Sequence, residues 1–185
     1  MKTDQKLNMT MLCDFYELTM GNGYLKAGFQ DRITYFDVYF RSVPDGGGYA
    51  IAAGLDQLID YIEDLHFDAQ DIDYLRSTGL FEEDFLDYLR HFHFSGDVYA
   101  IPEGTVVFPR EPLVKVIAPI MEAQLVETAI LTMINHQSLI ATKASRVVYA
   151  AKGDGIMEFG LQHAGNAYLH DRFHGVRAAG RYVYP

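Results

Sequence analysis

Residues 96–117 read GDVYAIPEGTVVFPREPLVKVI, and residues 122–151 read EAQLVETAILTMINHQSLIATKASRVVYAA. The first stretch is short β-branched and aromatic runs separated by Gly and Pro, the pattern of strands. Gly104 lies between Gly96–Ile101 and Thr105–Phe108, which predicts a hairpin turn there. Leu113–Ile117, bounded by Pro112 and Pro119, predicts a third strand of a small antiparallel sheet. In the second stretch the period changes to that of a helix. Leu125, Ala129, Thr132 and Met133 share one face, and Ala123, Val126, Ile130 and Ile134 share the next. A helix apolar over that much of its circumference is expected between packed layers. Asn135-His136-Gln137 interrupts the helical runs as a kink, a cap or a site edge, with a second helix over Ser138–Ala151 whose alanines permit close packing.

Upstream, the segment from Thr10 predicts a helix ended by Gly28, and Ile33–Phe40 alternates like a strand. Residues 44–48 form a Pro- and Gly-rich loop. Ala50–Leu65 has helical spacing. Two shorter helices follow, one from Asp68 as a cap and one over Glu82–Phe92. Ile156–Phe159 predicts a buried strand, and residues 162–185 show little periodicity.

Of the 185 residues, 49% are hydrophobic and 22% charged, the balance of a folded protein. One cysteine, Cys13, excludes an intrachain disulfide and suggests a reducing compartment. The formal net charge is -10, which argues against nucleic acid or an anionic membrane as partner. No apolar run is long enough to span a bilayer, and the polar start does not read as a signal peptide, so the cytoplasm is the expected location. The charge is uneven: residues 1–100 hold 18 acids and 7 bases, whereas residues 101–185 hold 7 acids and 8 bases. An anionic ligand is therefore expected on the second part.

Single residues give few chemical leads. His91 and His93 alternate like a metal pair but lack a third ligand at suitable spacing. His163, His170 and His174 match no zinc pattern, so no metal site is expected. Asp14 and Glu17 lie three apart on one helix face, as a carboxylate pair or as solvated and capping groups. Cys13 sits in an apolar run and reads as packing. Lys143 and Arg146, at i and i+3, either grip a phosphate or carboxylate or brace the helix, for instance against Glu158. Tyr16 and Phe159, beside polar or glycine neighbours, are core rings or stacking platforms for a flat ligand.

Four segments in order carry a resemblance: LCDFYELTM at 12–20, EAQLVET at 122–128, NHQSLIATKASR at 135–146, and Glu158-Phe159-Gly160-Leu161. Together they resemble the nicotinate phosphoribosyltransferase family, over about residues 8–161. The resemblance implies an α/β protein: an α+β amino-terminal domain over 1–118, helices and a first strand over 119–161 leading into a type II phosphoribosyltransferase α/β barrel, and a divergent tail over 162–185. It implies transfer of phosphoribose from phosphoribosyl pyrophosphate to nicotinate in NAD biosynthesis. ATP hydrolysis, with Mg2+, is coupled through a phosphorylated histidine, and the protein is a homodimer whose sites use both subunits. On this likeness Tyr16 reaches across the dimer to one face of the pyridine ring and Phe159 stacks on the other. None of the seven histidines inherits the phosphohistidine role, so no catalytic residue is assigned.

Two departures bear on substrate binding. Gln162 and His163 stand where the family carries arginines, and Arg177 matches a later Gly-x-Arg-Ala-Ala only loosely. Family members are about twice this length or more. The chain is therefore expected to lack most of the barrel and to be inactive alone. The rival readings are a non-catalytic partner of a full-length subunit, or a related enzyme acting on nicotinamide or quinolinate.

Overall fold

The computed structural model describes residues 8–43 and 46–156. Its elements run α1 (Phe15–Lys26), β1 (Ile33–Tyr39), β2 (Ala50–Ile51), α2 (Leu55–Glu63), α3 (Ala69–Ser77), α4 (Glu83–Arg90), β3 (Asp97–Ala100), β4 (Val106–Val107), β5 (Pro112–Pro119), α5 (Ile120–Leu125) and α6 (Glu127–Ala151). This is an α+β arrangement. The strand, tail and barrel expected from residue 156 onward lie outside the described residues, apart from Ile156.

Strands β1, β5 and β3 form one sheet in that order. The middle strand is buried along most of its length, while β1 and β3 alternate exposed and half-buried residues. The other sheet pairs β2 with β4 antiparallel, Ala50 opposite Val107 and Ile51 opposite Val106.

That pairing corrects the hairpin expected around Gly104. β3 and β4 are consecutive in sequence but join different sheets. Gly104 does turn the chain, at φ +85°. However, its N–H and the Thr105 carbonyl bond Ala52 rather than β3. The helix expected over Ala50–Leu65 is likewise shorter. Its first residues are strand β2, and α2 starts only at Leu55. Glu103 sets that start: its Oε1 accepts the N–H groups of Gly54 (2.6 Å) and Leu55 (2.8 Å), which lie at the helix N-terminus. Sequence spacing alone does not reveal a cap supplied from 48 residues away.

The polar triplet does not break the second helical stretch. α6 runs unbroken through it, and the discontinuity falls earlier, at Val126 between α5 and α6. Gln137 is buried yet satisfied, its Nε2 donating to Gln57 Oε1 at 3.3 Å. A buried amide with a partner has no reason to distort the helix.

The chain divides into two compact units. The first comprises residues 8–36, 59–98 and 116–130 of the described chain. Leu18, Phe85, Leu86, Leu89, Met121 and Leu75 are fully enclosed in it. Phe81 stacks on Phe85 and takes Phe15 edge-on, with ring centroids 5.5 and 5.8 Å apart. Asp68 caps α3 as expected: its Oδ1 accepts from Gln70 and Asp71 N–H, and Asp71 bonds back to the Asp68 N–H.

The second unit comprises residues 37–43, 46–58, 99–115 and 131–156. A ladder of hydroxyls on α6 organises it. Ser145 Oγ lies 3.1 Å from the Tyr49 hydroxyl, Thr142 Oγ1 accepts the Ile51 N–H at 2.8 Å, and Ser138 Oγ accepts the Ala53 N–H at 3.1 Å. Alternate residues of an extended segment thus meet successive turns of one helix face. Ala141 and Ala144 pack on Ile51 and Ala53, where larger side chains would hold the segment away.

Candidate functional site

Helix α1 presents Tyr16. Asp14 takes the N-cap position without a side-chain bond, and Ala27 with Gly28, at φ +69°, closes the other end. Neighbouring side chains on this first turn have opposite fates. Tyr16 is 43% exposed, whereas Glu17 is fully buried. This separates the expected carboxylate pair: Asp14 is exposed and Glu17 enclosed.

Glu17 ties α1 to the start of α6. Its Oε1 accepts both the N–H (2.9 Å) and the hydroxyl (2.7 Å) of Thr128, in the first turn of α6. The charge of a carboxylate there suits the positive helix end. Among the described residues, Oε2 has no hydrogen-bond partner, and neither has the buried hydroxyl of Tyr61. Burial raises the Glu17 pKa against the lowering effect of the two Thr128 bonds, and Glu127 and Asp14 push it further up. Tyr16 is electrostatically linked to the same place. Its hydroxyl lies under the influence of the Glu127 side chain, whose Oε2 accepts from Gln124 Nε2 at 2.7 Å. Its pKa is pushed up to about 12 by burial of the hydroxyl and by the charges of Glu127, Glu17 and Asp14. The phenol therefore remains a neutral donor, with part of its ring facing outward. Cys13 is partly buried, and its thiol is raised to about 12 by burial and then by Glu17, Asp14 and Asp71. At that value it is not a thiolate nucleophile at neutral pH.

Lys143 and Arg146 do not share a setting. Lys143 is exposed, and Arg146 is half-buried over the Tyr49 ring, 5.9 Å from its centroid. A β-carbon on Gly47 would collide with Arg146 Nη2. Gly47 thus lies directly against this guanidinium, a role that spacing alone did not show. His91 and His93 are exposed, with ring nitrogens 2.9 and 3.4 Å from backbone carbonyls. Among the described residues no three His, Cys, Asp or Glu side chains converge as metal ligands, and no helix is long and apolar enough to cross a membrane. Phe159, Glu158, Gln162, His163 and Arg177 lie outside the described residues. Sequence reasoning missed the anchoring role of Glu17 and Thr128. The only available signal was an acidic residue inside an otherwise apolar helix.

Residues 11–135 match the family described as the nicotinate phosphoribosyltransferase (NAPRTase) N-terminal domain. The nicotinate phosphoribosyltransferase pncB2 of Mycobacterium tuberculosis is 47% identical over 154 residues, covering 83% of this chain and 33% of that protein. The Bacillus subtilis nicotinate phosphoribosyltransferase is 39% identical over 157 residues, covering 85% of this chain and 32% of that one. The crystal structure of human nicotinic acid phosphoribosyltransferase superposes with a TM-score of 0.73 at 33% identity, over 80% of this chain and 30% of the human one. The chain spans about a third of the length of the curated relatives it matches. The family match and the shared fold together define the class, an α+β amino-terminal domain of a phosphoribosyltransferase. More narrowly, the chain belongs to the nicotinate phosphoribosyltransferase family.

Proposed function

We propose that this chain supplies the pyridine-facing ring of a nicotinate phosphoribosyltransferase, which joins nicotinate to phosphoribosyl pyrophosphate with release of pyrophosphate. The observation that carries the proposal is Tyr16: part-exposed on α1, with its helix locked through Glu17 to Thr128. An aromatic ring on an anchored helix loses little further freedom when a flat ligand stacks on it. Family membership over residues 11–135 supports nicotinate as that ligand.

In this reading Tyr16 of one subunit covers one face of the pyridine and Phe159 of another covers the opposite face. The nitrogen lone pair then points at C1′ of the ribose. It attacks as the C1′–O bond to pyrophosphate breaks, and the bonding pair leaves with pyrophosphate. Holding the ring at this angle is the contribution assigned to Tyr16. Arg146, steadied by Tyr49, and the more exposed Lys143 draw the anionic substrates toward α6. The family also implies ATP and Mg2+. No carboxylate or histidine cluster suited to Mg2+ occurs among the described residues, so no step here passes through either group.

Complementation tests the proposal. A full-length relative whose tyrosine matching Tyr16 is replaced by alanine is mixed with the 185-residue chain, and nicotinate mononucleotide is assayed. Restored turnover that Tyr16→Ala in this chain abolishes is the expected result, together with no turnover by the chain alone. Equal restoration by the Tyr16→Ala chain, or none combined with no nicotinate binding by the wild-type chain, would refute it.

A further inference from the structure

We propose that Glu17 is a positioning residue for the nicotinate site: its carboxyl fixes the rotation of α1 about the helix axis, and through that the direction of the Tyr16 ring. This role rests on the assignment of Tyr16 to the pyridine and goes beyond it by naming the group that directs the ring.

Helix α1 has little of its own to hold its first turn. It is 12 residues long and contains Gly21 and Gly23, which disfavour a helix interior, and a helix this short is marginal unless packing supports it. Asp14 stands at its N-cap but makes no side-chain bond there. Phe15 meets Phe81 edge-on and is still 49% exposed. Leu18 and Gly21 are buried, Gly21 so close to Phe85 that a β-carbon would stand 3.2 Å from the ring. Such apolar packing is non-directional and does not by itself fix a rotation.

Glu17 supplies the directional hold. It is fully enclosed, and its Oε1 accepts both the N–H and the hydroxyl of Thr128, at 2.9 and 2.7 Å. Two bonds from one oxygen to one residue leave the side chain little room to turn. Helix α6 needs them as well. The residue before it is Val126, whose side chain has no acceptor, and the first-turn N–H groups of a helix lack intrahelical partners. Glu17 therefore caps α6 from 111 positions away, and the cap fastens the first turns of α1 and α6 together. Successive side chains leave an α-helix about 100° apart. With Glu17 drawn inward, Tyr16 is turned outward, where it is 43% exposed. A ring whose direction is preset gives up less freedom when a ligand stacks on it.

Fluorine NMR follows the ring directly. The 185-residue chain is labelled with 3-fluorotyrosine, and the Tyr16 line is identified as the one missing from Tyr16→Phe. Spectra are recorded for the wild type, Glu17→Ala, Glu17→Gln and Thr128→Val, with and without nicotinate. The Tyr16 line is expected to move toward that of free 3-fluorotyrosine in Glu17→Ala and part of the way in Thr128→Val, which loses the hydroxyl bond alone. It is expected to stay in place in Glu17→Gln, whose amide oxygen accepts both donors. The lines of Tyr24, later on α1, and of Tyr49, in the second unit, stay fixed throughout. The nicotinate concentration giving half of the Tyr16 shift rises about tenfold in Glu17→Ala, the scale of one lost aromatic contact, and is unchanged in Glu17→Gln. An unmoved Tyr16 line in Glu17→Ala overturns the role, as does equal displacement in Glu17→Gln. Movement of all the tyrosine lines together also overturns it, because Glu17 would then serve the fold as a whole. If Glu17→Ala does not fold, Thr128→Val decides, and an unmoved Tyr16 line there overturns the role. A wild-type Tyr16 line that ignores nicotinate strikes the nicotinate reading instead, and leaves the dependence of the ring on Glu17 standing.

Discussion

At the scale of the residue, Tyr16 and Glu17 show how one helical turn divides its duties. The ring stays partly outside, while the carboxylate goes inside and holds two donors of Thr128. Tyr16→Ala removes the stacking face, and nicotinate affinity is expected to fall about tenfold, the equivalent of roughly 1.4 kcal/mol for one aromatic contact. Tyr16→Phe keeps the ring and loses only the hydroxyl, so a smaller loss is expected. Calorimetric titration of the complemented dimer checks both. The tyrosine was legible in the sequence as a ring beside polar neighbours and through the family likeness. The glutamate was not. An acidic residue at that spacing reads as solvated unless its partner, 111 positions away, is already known.

At the scale of the element, local caps could be read and remote ones could not. Asp68 precedes α3 with Asp71 at the third helical position, and both halves of the capping box form. Asp68→Ala is expected to lower the midpoint of urea unfolding, because the first-turn N–H groups of α3 lose their acceptor. The hydroxyl ladder of α6 bears more heavily on the second unit. Thr142→Val keeps the shape but leaves the buried Ile51 N–H without an acceptor, at an expected loss of about 1–3 kcal/mol in the same assay. Ser138, Thr142 and Ser145 lie on one helix face in the sequence, yet nothing there says that a strand will bond to them. The expected interruption at Asn135-His136-Gln137 failed for the same reason: Gln57 satisfies Gln137 from another element.

At the scale of the whole molecule, proton linkage gives a test that depends on burial. The folded state raises the Glu17 pKa. Between the unfolded value, roughly 4.3, and the folded one, the native chain keeps a proton that the unfolded chain has lost. Glu17 therefore makes stability fall as pH rises through that window. Asp68 acts the other way. Its pKa is lowered by backbone N–H bonds, so its contribution is present above its unfolded value and lost as pH falls through the folded one. Glu17→Gln has no proton to lose and still accepts from Thr128. Its melting temperature is expected to exceed that of the wild type at pH 8 and to vary less between pH 4.5 and 8, whereas Glu17→Ala is expected to melt lower at every pH. The α+β class, most helices and the Asp68 cap follow from the amino-acid order, because hydrophobic period, turn residues and local hydrogen bonds act over a few positions, and the family follows from the four segments that resemble it. Tertiary structure alone decided which strands pair, where α2 begins and which acid is buried. Those outcomes rest on donors and acceptors that meet only after distant segments have packed.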